Sequence, residues 1–201
     1  APVAILPGGR RQAKHSLPPA GCKRYIAFSG QNRPHTPCIL THRLSASLRS
    51  AWPLEAPPYY RPSDARSKVV QIAVHVRRGD VSTAMDHRFI SDARIEACVA
   101  RVLQQQPAGQ RRRVHIFSWG HTPSLRALRG ENITFHVDNG RDILEGTIAT
   151  FNAFVHADVL VVGLSTYSFA AGLFHDPARS QVYTPRRRIL SNSAPPHWRD
   201  C

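Results

Sequence analysis

From Lys68 onward, five short apolar runs alternate with stretches of helical periodicity, and this alternation restricts the fold of the 201-residue chain more than any other feature. Strands are expected over 69–76, 114–118, 133–137, 159–162 and 181–183. Between the first two, Ile95, Cys98, Val99 and Val102 fall on one helical face, and Pro107-Ala108-Gly109 ends that helix. A short helix is expected over 123–128, with Thr122 as its cap and Pro123 in its first position. Two more are expected over 142–156 and 165–174. Strand–helix–strand connections are almost always right-handed, so the pattern reads as an α/β, Rossmann-like parallel sheet flanked by helices, with its ligand crevice at the strand C-termini.

The first strand ends in the most chemically loaded stretch of the chain. Val70, Ile72, Val74 and Val76 alternate with Gln71, Ala73 and His75, as expected of a strand covered on both faces. The polarity then reverses at Arg77-Arg78-Gly79-Asp80, where Gly79 lets the chain turn. A period of two puts His75 and Arg77 on one face and Arg78 on the other. Two guanidinium forks at a strand end suit an anion, and Asp80 can hold one fork in place or accept from a ligand hydroxyl. An ordinary salt-bridged loop has the same composition. Arg78-Gly79-Asp80 also matches an adhesion motif, read here as chance because it is attached to a buried strand.

A second anion site is expected where the strand 159–162 passes through Gly163 and Leu164 into Ser165 and Thr166. Hydroxyls and unpaired backbone N–H groups collect at such a strand-to-helix turn. Plain N-capping by Ser165 or Thr166 is the simpler role and is compatible with binding. Neither G-x-G-x-x-G after the first strand nor G-x-x-x-x-G-K-[ST] occurs, so a phosphate, if bound, must be held by side chains and a helix start.

Residues 1–67 hold 10 of the 16 prolines and read as an irregular, Pro/Arg-rich lead-in, with a short strand over 23–28 and a short helix over 41–52. The net charge is +14, but only Lys14, Lys23 and Lys68 are lysines among 27 basic residues. No zinc-finger spacing, basic heptad or aromatic RNA-binding signature accompanies that charge, so nucleic-acid binding is the weaker reading. Cys22, Cys38, Cys98 and Cys201 lack C-x-x-C spacing, and no metal site is expected. Cys98 reads as a small core residue, leaving any disulfide among the other three. No run approaches the length of a membrane span, and no signal peptide is visible; the chain begins at Ala1, which reads as a processed form or a fragment.

His75-Val76-Arg77-Arg78-Gly79-Asp80 resembles the H-x-R-R-x-D motif of the α1,6-type fucosyltransferases and their relatives. Val114-His115-Ile116-Phe117-Ser118 resembles the next strand of that superfamily, and Ala157-Asp158-Val159-Leu160-Val161 with Ser165-Thr166 resembles its A-D-x-L-V … S-S segment. Pro195-Pro196-His197-Trp198 resembles a tail of a less characterised branch. The likeness covers residues 68–201 and implies the donor-binding, C-terminal half of a GT-B glycosyltransferase that uses GDP-fucose, with residues 1–67 as the remnant of an acceptor domain. The implied enzyme inverts, needs no metal or cofactor, and works on a glycan acceptor in the secretory pathway, in the Golgi lumen. The resemblance implies that Arg77 binds the β-phosphate and carries catalysis, that His75 and Arg78 help place the nucleotide, and that Ser165 and Thr166 lie at the phosphate or guanine side. Asp158 belongs to the resembling segment. Thr150 and Asn152 stand where core fucosyltransferases carry an aspartate and a histidine; His136 and Asp138, at the third strand, sit where another contact to base or ribose could come from, and a strand end exposed to solvent is the equally open reading. The alternatives are a non-catalytic sugar-nucleotide or glycan-binding module and a basic nucleic-acid binder.

Overall fold

The computed structural model describes residues 50, 55–60, 69–84, 89–120, 123–138, 143–176, 178–185, 195 and 197–201. The chain divides into two compact units, 1–39 and 40–201, and the described residues all belong to the second. The strand expected over 23–28, and the helix over 41–52 apart from Ser50, lie outside the described residues.

Six strands form one parallel sheet: β1 (Val70–Val76), β2 (Arg112–Trp119), β3 (Ile133–Asp138), β4 (Val159–Val161), β5 (Gln181–Thr184) and β6 (Arg199–Asp200). Their order is β3-β2-β1-β4-β5-β6. Parallel neighbours need crossovers, and among the described residues helices supply three of them: α1 (Asp92–Gln105) leads from β1 to β2, α2 (Ile143–His156) from β3 to β4 and α3 (Thr166–Leu173) from β4 to β5. This is the Rossmann-like α/β arrangement that the alternation of apolar runs and helical stretches implies.

β1 is central because both its faces can be buried. Val70, Ile72, Val74 and Val76 join Ile95, Cys98, Val99 and Val102 of α1 in the main core, with Val114, Ile116, Val159 and Val161 from the neighbouring strands. Each such aliphatic side chain contributes roughly 1.5–3 kcal/mol when fully buried, so this face is the principal hold on the sheet. The opposite face is aromatic: His75 lies 5.3 Å from Phe154 of α2 and 6.1 Å from Tyr167 of α3, ring centre to ring centre. α1 starts where Ser91 caps it, the hydroxyl accepting from Arg94 N–H at 3.4 Å. It stops before Pro107, with Gln106 Nε2 donating back to the Val102 carbonyl at 3.2 Å.

Two expectations are corrected. Residues 123–128 form a turn rather than a helix. Leu125 and Leu128, three apart, both reach the core, and one bond from Leu128 N–H to the Leu125 carbonyl suffices to place them. Cys98 is not a lone core thiol; it is joined to Cys201 in a disulfide, with Cα atoms 4.7 Å apart. The tail brings them together. Cys201 N–H donates to the Thr184 carbonyl beside β6, while Arg94 of α1 donates to the carbonyls of Pro185 at 2.9 Å and Cys201 at 3.3 Å. Sequence periodicity could not anticipate β6, which is only two residues long.

The end of the Pro-rich lead-in belongs to the sheet. Pro58–Tyr60 makes one 3-10 turn whose tyrosines pack on the aromatic face, Tyr59 stacked 4.9 Å from His136 and Tyr60 4.9 Å from His115. Among the described residues no helix is long and apolar enough to cross a membrane.

Candidate functional site

β1 has β2 on one side and β4 on the other, and the chain leaves their C-terminal ends toward opposite faces: α1 follows β1, α3 follows β4. The strand order reverses there, which opens a crevice where α/β sheets of this kind take ligands.

Arg77 crosses it. Its Nη1 donates to the Leu164 carbonyl at 3.4 Å, in the turn after β4, while Nε and Nη2 grip the Asp80 carboxylate at 3.2 and 2.6 Å. Gly79, with φ at +80°, makes the turn that folds Asp80 back onto Arg77. Arg78 points the other way, as a period of two requires. Its guanidinium is buried, donating to the carbonyls of Arg77 at 2.8 Å and Ile90 at 3.0 Å and to the Asp92 carboxylate in the first turn of α1. It also lies 4.4 Å above the Phe89 ring. Arg78 therefore braces the loop from β1 to α1, and its fork is taken up by protein.

His75 lies beneath the crevice. Gly163 passes so close that a Cβ there would sit 2.9 Å from the His75 carbonyl oxygen and 3.0 Å from Nδ1. Burial above all, with the charge of Arg77 adding to it and Asp80 opposing it, lowers the His75 pKa to about 4. The imidazole is neutral and forms part of the floor.

On the β4 side, Ser165 caps α3, its hydroxyl accepting from Tyr167 N–H at 3.3 Å. Thr166 is exposed in the first position of α3. Ser168, the last hydroxyl of that helix start, is fully buried and fixes the turn, accepting from Gly163 N–H at 3.2 Å. A helix start, a hydroxyl and a guanidinium thus converge from two strand ends, an arrangement suited to a phosphate.

The other sequence candidates lie elsewhere. Asp158 precedes β4, at the opposite end of the sheet, and accepts from Gln71 N–H at 2.9 Å. His136 is two strands from Arg77 and belongs to a packed cluster. Its Nε2 is 2.9 Å from His115 Nδ1, and His115 Nε2 is 3.1 Å from Gln71 Oε1. The Gln71 oxygen only accepts, so His115 carries its proton on Nε2 and accepts from His136 Nε2–H. Burial, the neighbouring His136 and Arg113 lower the His115 pKa to about 4; burial lowers that of His136. Asp138 ends β3, in register with Trp119. Trp119 escaped the sequence reading although it too ends a strand, followed by Gly120. It is 48% exposed and lies against Gly79, whose added Cβ would stand 2.6 Å from the indole Cε3. Among the described residues no group of three or more His, Cys, Asp or Glu could hold a metal ion.

Comparison with protein-family models, with curated proteins and with solved structures finds no match. What defines the class is the molecule itself: an α/β protein with a six-stranded parallel, Rossmann-like sheet and an arginine at its topological switch point.

Proposed function

We propose that residues 68–201 are the donor-binding half of a GT-B glycosyltransferase that transfers fucose from GDP-fucose to a glycan acceptor, with inversion and without a metal. The observation that carries this reading is Arg77, stretched across the crevice from β1 to the Leu164 carbonyl at 3.4 Å. An acceptor hydroxyl oxygen bonds to C1 of the sugar as the bond from C1 to the β-phosphate oxygen breaks, and GDP leaves with the electron pair. Negative charge grows on that phosphate, and a guanidinium already held in place stabilises it without reorganisation. Asp80 does the holding. Nη1, with the longest of the three Arg77 bonds, turns to the phosphate, and the Ser165–Thr166 helix start faces it from β4. No described residue is assigned as the base that takes the hydroxyl proton. The Cys98–Cys201 disulfide supports an oxidising compartment such as the Golgi lumen.

A non-catalytic sugar-nucleotide or glycan-binding module is the second reading. Thr150 and Asn152, which replace the acidic and imidazole groups of the core fucosyltransferases, favour it. Calorimetric titration with GDP tests both. Binding by the wild type, weakened about 10- to 100-fold in Arg77→Ala, is expected for a charge-assisted contact. No binding overturns both nucleotide readings; binding unaffected by the substitution overturns the placement of the phosphate. Transfer of fucose from GDP-fucose in an acceptor screen, lost in Arg77→Ala, then separates enzyme from module. Affinity for nucleic acid that falls steeply with salt, without GDP binding, would instead identify a polyanion binder.

A further inference from the structure

Arg77 and Ser165 account for the phosphates of a nucleotide and leave its base without a seat. The C-terminal edge of the sheet runs β3, β2, β1, β4, and the anion grip occupies β1 and β4. One strand over from β1, a separation of about 5 Å, β2 ends in Trp119. Single exposed apolar residues are common on protein surfaces and by themselves mean little. Trp119 differs in how it is supported.

The turns after β1 and β2 both use glycine in the left-handed region, Gly79 at φ +80° and Gly120 at φ +83°. A Cβ on Gly120 would stand 3.3 Å from the Gly79 Cα, so the two turns lie directly against each other. A Cβ on Gly79 would stand 2.6 Å from Cε3, 3.2 Å from Cζ3 and 3.3 Å from Cδ2 of the indole. Bare backbone therefore forms a shelf for the six-membered ring, two residues beyond the arginine that grips the phosphate. The residue remains 48% exposed on that shelf. A half-exposed indole laid against backbone beside a phosphate grip has the features of a stacking platform, because every nucleobase presents a π-face.

We infer that Trp119 stacks on the base of the bound nucleoside diphosphate, so that the nucleotide lies along the sheet edge with its phosphates at β1 and β4 and its base over β2. This inference rests on the nucleotide reading of the Arg77 crevice. It directs the base toward β3, where Asp138 is the register partner of Trp119.

The test is calorimetric titration of the wild type, Trp119→Ala and Trp119→Phe with GDP and, separately, with inorganic pyrophosphate. Loss of one base stack is expected to weaken GDP binding about tenfold, within a range of roughly 5- to 150-fold. Pyrophosphate affinity should stay within about twofold of the wild type in both variants, which also reports that they fold. Phenylalanine should restore most of the GDP affinity. Equal losses for GDP and pyrophosphate in Trp119→Ala, or GDP binding that the substitution leaves unchanged, overturns the stacking role while the phosphate site stands. Weakened GDP-fucose binding with unchanged GDP binding also overturns it, placing the sugar rather than the base on the ring. A wild type that binds pyrophosphate and GDP equally well removes the platform alone. A wild type that binds neither removes the nucleotide reading, and this inference falls with it.

Discussion

Gly163→Ala tests how closely the crevice depends on the approach of two strand ends. The added Cβ would lie 2.9 Å from the His75 carbonyl oxygen, whereas ordinary contact begins at 3.4 Å, so β1 and β4 must separate there by about half an ångström. A backbone carbonyl in a central strand cannot swing aside as a side chain can, and Nδ1 of His75 at 3.0 Å blocks the other direction. Overpacking of this kind costs about 1–3 kcal/mol. For a chain of this length that corresponds to a fall in Tm of about 2–12 °C. The same separation draws the Ser165–Thr166 helix start away from Arg77, so GDP affinity should fall as well. Gly172→Ala is the matched control, because its Cβ would meet Trp198 Cζ2 at 2.6 Å near the far end of α3. Thermal unfolding and GDP titration of both variants should show two destabilised proteins, of which only Gly163→Ala binds GDP more weakly. A Gly163→Ala protein with wild-type Tm, or one destabilised but with wild-type GDP affinity, would refute the reasoning.

The two adjacent arginines should behave oppositely. Arg78→Ala leaves Asp92 without its buried partner and should cost about 3–5 kcal/mol in chemical unfolding, while Arg77→Ala should leave stability nearly unchanged and weaken GDP binding about 10- to 100-fold; equal stability losses would contradict the division. Stability should also fall with acidification. His75 and His115 have folded-state pKa values lowered to about 4 from an ordinary 6.5, so the unfolded chain binds more protons between those values. Their neutral forms are fully accommodated above about pH 6.5, and stability is lost as the pH falls from there to about 4; a flat denaturation midpoint across that window would exclude buried neutral imidazoles.

The sheet was legible because its apolar runs have a period of two and lengths that only strands fit. The polarity reversal at the end of β1 also marks the Arg77–Asp80 turn in the sequence itself. What the sequence hid are relations between strands. His115 and His136 read as isolated histidines until the register of β2 and β3 places them side by side, and Tyr59 and Tyr60 read as part of an irregular lead-in until they stack on that pair. The different fates of Arg77 and Arg78 follow from alternation, but the partner that buries Arg78 comes from the start of α1. Asp158 shows the opposite failure: its motif was readable, yet it precedes its strand and so lies at the end of the sheet opposite Arg77.

The disulfide from α1 to the final residue turns most of the sheet into a covalent ring. Cys98 and Cys201 are 103 positions apart, and β2 through β6 all lie between them. A single protease cut anywhere in that interval opens the ring without releasing a fragment. The nicked chain would migrate as one species until reductant is added, and the strands on either side of the cut would stay tethered through α1.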